Sequence, residues 1–145
     1  MRKYLLLLSG FPFLLSQGQA ADLTLVKDGV PRAIIAIAED PDEHEQLAVE
    51  ELQTHLEKMS GAKVDAVTIK VGGAKSFIAE TKAAKKTPIL IGRITRERLA
   101  KESQKPPMRG SFILQVADGT VRIHGLEEGS YYGVIELLEQ LGCRW

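Results

Sequence analysis

The chain has 145 residues, 19 basic and 19 acidic side chains, and no formal net charge at pH 7. A balanced charge lacks the basic field that nucleic-acid binding requires, so no nucleic-acid partner is expected. The length suits one domain with a real core, and the single cysteine excludes an internal disulfide.

Arg2 and Lys3 form a short basic start, followed by apolar Leu5–Leu8 and Phe11–Leu15, interrupted by Ser9, Gly10 and Pro12. Small residues at Gly18 and Ala20 then mark a cleavage position. This is the pattern of a secretory signal peptide over residues 1–20. Its apolar run falls short of the ~20 residues that span a bilayer. The expectation is a secreted or periplasmic protein with no membrane contact after cleavage. Residues 21–145 would carry 17 basic against 19 acidic groups, a net charge of about −2.

Thr24–Lys27 and Arg32–Ala38, flanking the turn signal Asp28-Gly29 and Pro31, read as a β-hairpin. A helix then starts, with Asp40 as N-cap, Pro41 as first residue and Glu43 completing an Asp variant of the capping box. Ala48, Leu52, Leu56 and Met59 line one face, and Ser60-Gly61 ends it. Lys63–Ile69 reads as a strand, with Val64, Val67 and Ile69 apolar. Gly72–Thr87 reads as a loop holding at most one short helix. Pro88–Gly92 is an unbroken apolar run that suits a strand buried on both faces. A short helix is expected over Ile94–Ser103, then a loop around Pro106 and Pro107.

Ser111–Ala117 alternates Phe112, Leu114 and Val116 on one face, and Asp118-Gly119 is the strongest hairpin signal in the chain. Val121 and Ile123 alternate with Arg122 and His124. The final helix places Tyr131, Val134, Leu138 and Leu141 on one face, with Gly142 as its left-handed stop. The order β-β-α-β-(α)-β-α-β-β-α gives an α+β fold, an α/β sandwich in which a mixed sheet carries two to three helices.

Catalytic patterns are incomplete throughout. His44-Glu45 lacks the second histidine of a zinc-protease helix, since position 48 is Ala48. His55 lies one turn after Glu51, which suits a solvated ion pair better than a metal site needing three or four ligands. His124, opposite Val121 and Ile123, is expected to be exposed or at a domain contact. Gly72-Gly73-Ala74-Lys75-Ser76 lacks the glycine that a phosphate loop requires directly before its lysine. No Gly-x-Ser-x-Gly occurs. Adjacent acids such as Glu50-Glu51 and Glu127-Glu128 point about 100° apart on a helix and cannot face each other across a substrate. No catalytic residue, cofactor or metal is therefore assigned. Cys143, between a glycine and the arginine-tryptophan pair at a helix end, is expected to be buried.

Four segments together resemble a known family: the Ala48–Ala62 helix, the Pro88–Arg93 strand, the hairpin from Ser111 through Val121-Arg-Ile-His-Gly125, and the Tyr132–Trp145 helix. In this order they are similar to the N-terminal accessory domain of bacterial glycoside hydrolases. The nearest resemblance is to α-glucuronidases of family 67 and β-N-acetylhexosaminidases of family 20. The resemblance implies a small sandwich over residues 21–145, standing before a (β/α)₈ barrel that carries the catalytic carboxylates. It implies a non-catalytic role for this chain, with the barrel as partner in cis or as a separate chain, and carbohydrate as a further partner. The ending Cys143-Arg144-Trp145 reads as the start of a further element, so a fragment of something larger is expected. Arg144 and Trp145 would then be the interface or sugar-facing residues. The alternative is a free-standing periplasmic module that binds a glycan or a protein, using aromatics drawn from Phe77, Phe112, Tyr131, Tyr132 and Trp145.

Overall fold

The apolar run at Thr87–Ile91 is the middle strand of the sheet and every residue in it is buried. The computed structural model describes residues 23–95 and 108–145. In chain order its strands are β1 (Val26–Lys27), β2 (Val30–Pro31), β3 (Ala33–Ala38), β4 (Asp65–Ile69), β5 (Thr87–Ile91), β6 (Phe112–Ala117) and β7 (Thr120–Gly125). Its helices are α1 (Glu43–Ser60), α2 (Ala74–Ala83) and α3 (Gly129–Gln140), with a 3₁₀ turn at Gly92–Thr95. The five-stranded sheet runs β4-β3-β5-β7-β6. Pairings β3–β4, β3–β5 and β5–β7 are parallel, and β6–β7 is antiparallel. This is the expected α+β fold with a mixed sheet.

The chain steps outward from β3 to β4, then back across β3 to β5. Crossovers of one hand must place the two connecting helices on opposite faces. They do so here. Ile35, Ile37, Ile89, Ile91, Val121 and Ile123 pack with α1 and α3, whereas Ala36 and Leu90 pack with Phe77 of α2. The alternation of Ile34–Ala38 between two covered faces explains why β3 carries no polar residue.

The hairpin is smaller than the sequence suggests. Asp28-Gly29 does turn the chain, both residues at positive φ, but Val26–Lys27 pairs with Val30–Pro31. The segment expected to complete the hairpin instead enters the main sheet as β3, because its alternating isoleucines are needed on both faces. The α1 cap also shifts by two residues. Asp42 is the N-cap: its Oδ1 accepts from Glu45 N at 2.8 Å, and Glu45 Oε2 accepts from Asp42 N at 3.2 Å. Asp40–Glu43 and Asp42–Glu45 offer the same spacing, and the second wins because Glu45 can also be buried. At the far end, Ala48, Leu52 and Leu56 are buried, whereas Met59 is 48% exposed.

Gly72–Thr87 holds a full helix, α2, of ten residues. It buries only Phe77 and Thr81, which explains its weak apolar signal. The 3₁₀ turn occupies the start of the helix expected over Ile94–Ser103; the rest of that segment and the loop at Pro106-Pro107 lie outside the described residues, as does the expected signal peptide over residues 1–20. β4 is an uncovered edge. Val64, just before it, is buried and its carbonyl accepts from Gln53 Nε2 at 2.7 Å, but Val67 is 41% exposed. A groove of about 420 Å³ lies between Val67, Ile69 and the α2 residues Phe77 and Glu80.

Asp118 and Gly119 both have positive φ, the geometry of a two-residue hairpin turn. α3 ends in a Schellman pair, Gly142 N to Glu139 O and Cys143 N to Leu138 O, each 3.0 Å, with Gly142 left-handed as expected. Val134 and Leu138 are buried, Tyr131 is partly so, and Leu141 is exposed. Leu138→Ala should therefore destabilise the domain by about 2–5 kcal/mol in a urea titration. Leu141→Ala, on the same helical stripe but exposed, should cost less than about 1 kcal/mol.

Candidate functional site

In open α/β sheets, ligands bind beyond the carboxyl ends of the strands where the strand order reverses. Here that point lies between β3 and β5, and the chain puts a charged cluster there. Glu45, one turn into α1, is 1% exposed. Its Oε1 accepts the backbone N–H of Arg93, just after β5. Its Oε2 lies 3.6 Å from the Arg93 guanidinium. The same guanidinium reaches Asp40, after β3, at the carboxylate Oδ2 (3.3 Å) and at the backbone carbonyl. Gly92 makes the approach possible: it has φ +80°, and a Cβ there would overlap the Glu45 carboxyl group. Two strand ends and one helix start are thus tied by two carboxylates, Glu45 and Asp40, and one arginine.

A second buried polar group sits beside it. Thr95 Oγ1 donates to Gly92 O at 2.6 Å, and His124 Nδ1 lies 2.8 Å from Thr95 O. His124 is fully buried, which corrects the expectation of an exposed histidine or one at a domain contact. Its burial comes from the turn after β5, a contact that its own strand does not announce.

Further along this end, Arg109 is held by both Glu127 (2.6 Å) and Glu128 (2.7 Å). The adjacent acids do not oppose each other; they converge on one cation. The hydrogen-bonded Arg109 guanidinium, foremost, with a backbone hydrogen bond second, lowers the Glu128 carboxyl from 4.5 to about 2.

Arg144 and Trp145 lie elsewhere, at the carboxyl ends of α1 and α3. Along α1 the step from Glu45 in the cluster to His55, against which Trp145 packs, is about 15 Å at 1.5 Å per residue. Trp145 is 62% exposed, its ring edge-on to His55 at 4.8 Å between centroids. His55 Nδ1 is 3.4 Å from Glu51, the expected pair, although both side chains are largely covered. Arg144 meets only backbone carbonyls, of Glu139 at 3.4 Å and of Cys143 at 3.2 Å. Cys143 is partly buried, its Sγ 3.2 Å from Met59 Sδ. Met59, Leu141 (40% exposed) and Trp145 together form an apolar corner. It adjoins a groove of about 370 Å³ floored by Leu25 and Leu56.

Sequence reasoning singled out Arg144 and Trp145, expected Met59 and Leu141 on buried helix faces where both are exposed, and missed the Glu45–Arg93 cluster. The available signals were the second Asp-x-x-Glu spacing and a Gly-Arg pair directly after a doubly buried strand. Among the described residues no group of three or more His, Cys, Asp or Glu side chains could hold a metal ion, and no helix is long and apolar enough to cross a membrane.

No family model matches the sequence, and no curated protein matches it. Eighteen chains of solved structures do. One is a family GH115 4-O-methyl-α-glucuronidase with specificity for decorated arabinogalactans. It superposes with a TM-score of 0.56 at 19% identity over 82% of this chain. Another, a GH138 enzyme targeting pectin rhamnogalacturonan II, has a TM-score of 0.46 at 16% identity over 75%. The chain spans 14% of the length of the first and 10% of the second. At these identities the likeness is one of fold: this sandwich is similar to one part of a much larger glycoside hydrolase. The resemblance of the sequence to glycoside hydrolases is met as a likeness of fold to part of the family 115 enzyme, and families 67 and 20 are not among the neighbours named here.

Two outcomes check this geometry. Gly92→Ala should destabilise the domain by at least about 2 kcal/mol, since it adds strain at positive φ to a clash with a buried carboxylate. For Glu128, a pKa lowered from 4.5 means that its contribution to stability is complete above pH 4.5 and lost as the pH falls towards 2. An NMR titration should place its midpoint near the lower value, and Arg109→Met should return it to the ordinary glutamate range.

Proposed function

We propose that this chain is a non-catalytic accessory domain of a secreted glycan-degrading hydrolase, and that it packs against a catalytic barrel through the corner at Arg144 and Trp145. The observation that carries the reading is the corner itself. Three large apolar side chains, Met59, Leu141 and Trp145, stand exposed together beside an apolar groove. Grouped exposed apolar side chains of this kind mark interaction surfaces more often than scattered ones do. Arg144, whose partners among the described residues are the backbone carbonyls of Glu139 and Cys143, is placed to meet a carboxylate on the partner. The hydrolase context is supported by the fold likeness to the α-glucuronidase, of whose chain this domain matches 14%.

The carboxylates that cluster in this domain are engaged in holding it together. Glu45 and Asp40 are taken by Arg93, and Glu127 and Glu128 by Arg109. None of these groupings leaves a proton donor facing a base across an open cleft, the arrangement glycoside hydrolysis needs.

The test has two parts. Purified chain should not turn over aryl-glycosides or aldobiouronic acids; turnover abolished by one Asp or Glu substitution would sink the accessory reading. Trp145 is the only tryptophan, so its fluorescence reports the corner alone. Monomeric protein should show red-shifted, acrylamide-quenched emission. Self-association at high concentration should blue-shift it, and sedimentation should show that association lost on removal of residues 143–145. Protected emission in a strict monomer would place the ring within its own domain and end the interface reading. Specific retention on a glycan array by a protein lacking that corner would favour the binding-module alternative.

A further inference from the structure

The crevice at the reversal of strand order is where a sheet of this kind usually receives a ligand. Here the position is taken by part of the protein. Three groups that favour an anion converge on the Glu45 carboxylate: the N–H of Arg93, the N–H of Asp42 and the Arg93 guanidinium. Arg93 Nε, buried at the same point, has no hydrogen-bond partner and is a further donor in reserve. Gly92 leaves open the space that the carboxyl group fills. These are the elements of a carboxylate-binding cradle: backbone donors from two segments, one guanidinium and exclusion of water.

The geometry points to a small-carboxylate binding site that the chain occupies with its own Glu45. The fold retains the donors for an anionic ligand, and the first turn of α1 supplies the anion. The cradle survives loss of that side chain. Asp42 still caps α1 through the N–H of residue 45, and Asp40 still holds the Arg93 guanidinium. A free carboxylate of formate or acetate size matches the group removed by Glu45→Ala. This site is independent of the barrel-packing corner, and either proposal can fail without the other.

The experiment is chemical rescue in the full chain. Thermal unfolding of Glu45→Ala is followed in sodium formate and in sodium chloride at equal ionic strength. Formate should stabilise the variant saturably, raising the folded-to-unfolded ratio about elevenfold at ten times its Kd. Chloride should not, and the wild type, its cradle filled, should not respond to formate. Glu45→Gln, which keeps the volume and an acceptor, should fold and be indifferent to formate. Adding Arg93→Met to Glu45→Ala should abolish the rescue. If Glu45→Ala does not fold in buffer, refolding into formate but not chloride, read by near-ultraviolet circular dichroism, is the equivalent supporting result. Failure to fold in both salts overturns the proposal. So does a formate effect no larger than that of chloride, one shared by the wild type, or one that survives Arg93→Met.

Discussion

One buried carboxylate closes the end of this domain where its parts meet. Glu45 belongs to α1, yet its Oε1 accepts the backbone N–H that follows β5, nearly fifty residues later. A buried ionised group is tolerated only when its oxygens are paired. The requirement therefore fixes several things together: the register of the α1 cap, a residue without Cβ at Gly92, and the path of the chain out of β5. Asp40 extends the constraint to β3 by holding the outer side of the same arginine. The two strands between which the topology reverses are pinned at their ends as well as along their length.

The sheet divides into a half sheltered on both faces and a half that is not. β3 and β5 lie between α2 on one side and α1 with α3 on the other, so their residues are almost uniformly apolar. β4 has no such shelter; α2 stands over β5, leaving most of the β4 side chains in solvent. Parallel strands are seldom left so open in a free-standing domain. The apolar corner at Met59, Leu141 and Trp145 is a separate unsheltered surface at the ends of α1 and α3.

Legibility in the sequence followed the range of the deciding interaction. The Asp118-Gly119 turn, the Gly61 and Gly142 stops and the doubly buried strand at Thr87–Ile91 depend on neighbouring residues or on a continuous run, and all were readable. The α1 cap was ambiguous because two registers satisfy local rules, and the choice between them is made by Arg93. α2 was barely visible because it buries one aromatic and one threonine. The partner of the first hairpin strand was misread because isoleucines on successive positions serve two faces, a fact that only the crossovers reveal. His124 looked like a surface residue on its strand; the Thr95 carbonyl that receives it comes from a different element. The Arg144–Trp145 pair was singled out from the end of a helix, and both residues are exposed.

The sheet also has a marked asymmetry along the chain. β6 and β7 are joined by a two-residue turn and followed at once by α3, which packs on β7. β3 and β5 pair across more than fifty residues, with β4 and two helices between. The entropy of closing a loop grows with its length, so the hairpin and its helix are the part of the sheet that can assemble earliest. β3 meets both of its partners, β4 and β5, only across a crossover helix, so its pairing with β5 closes the longest loop in the sheet and carries its largest entropic cost.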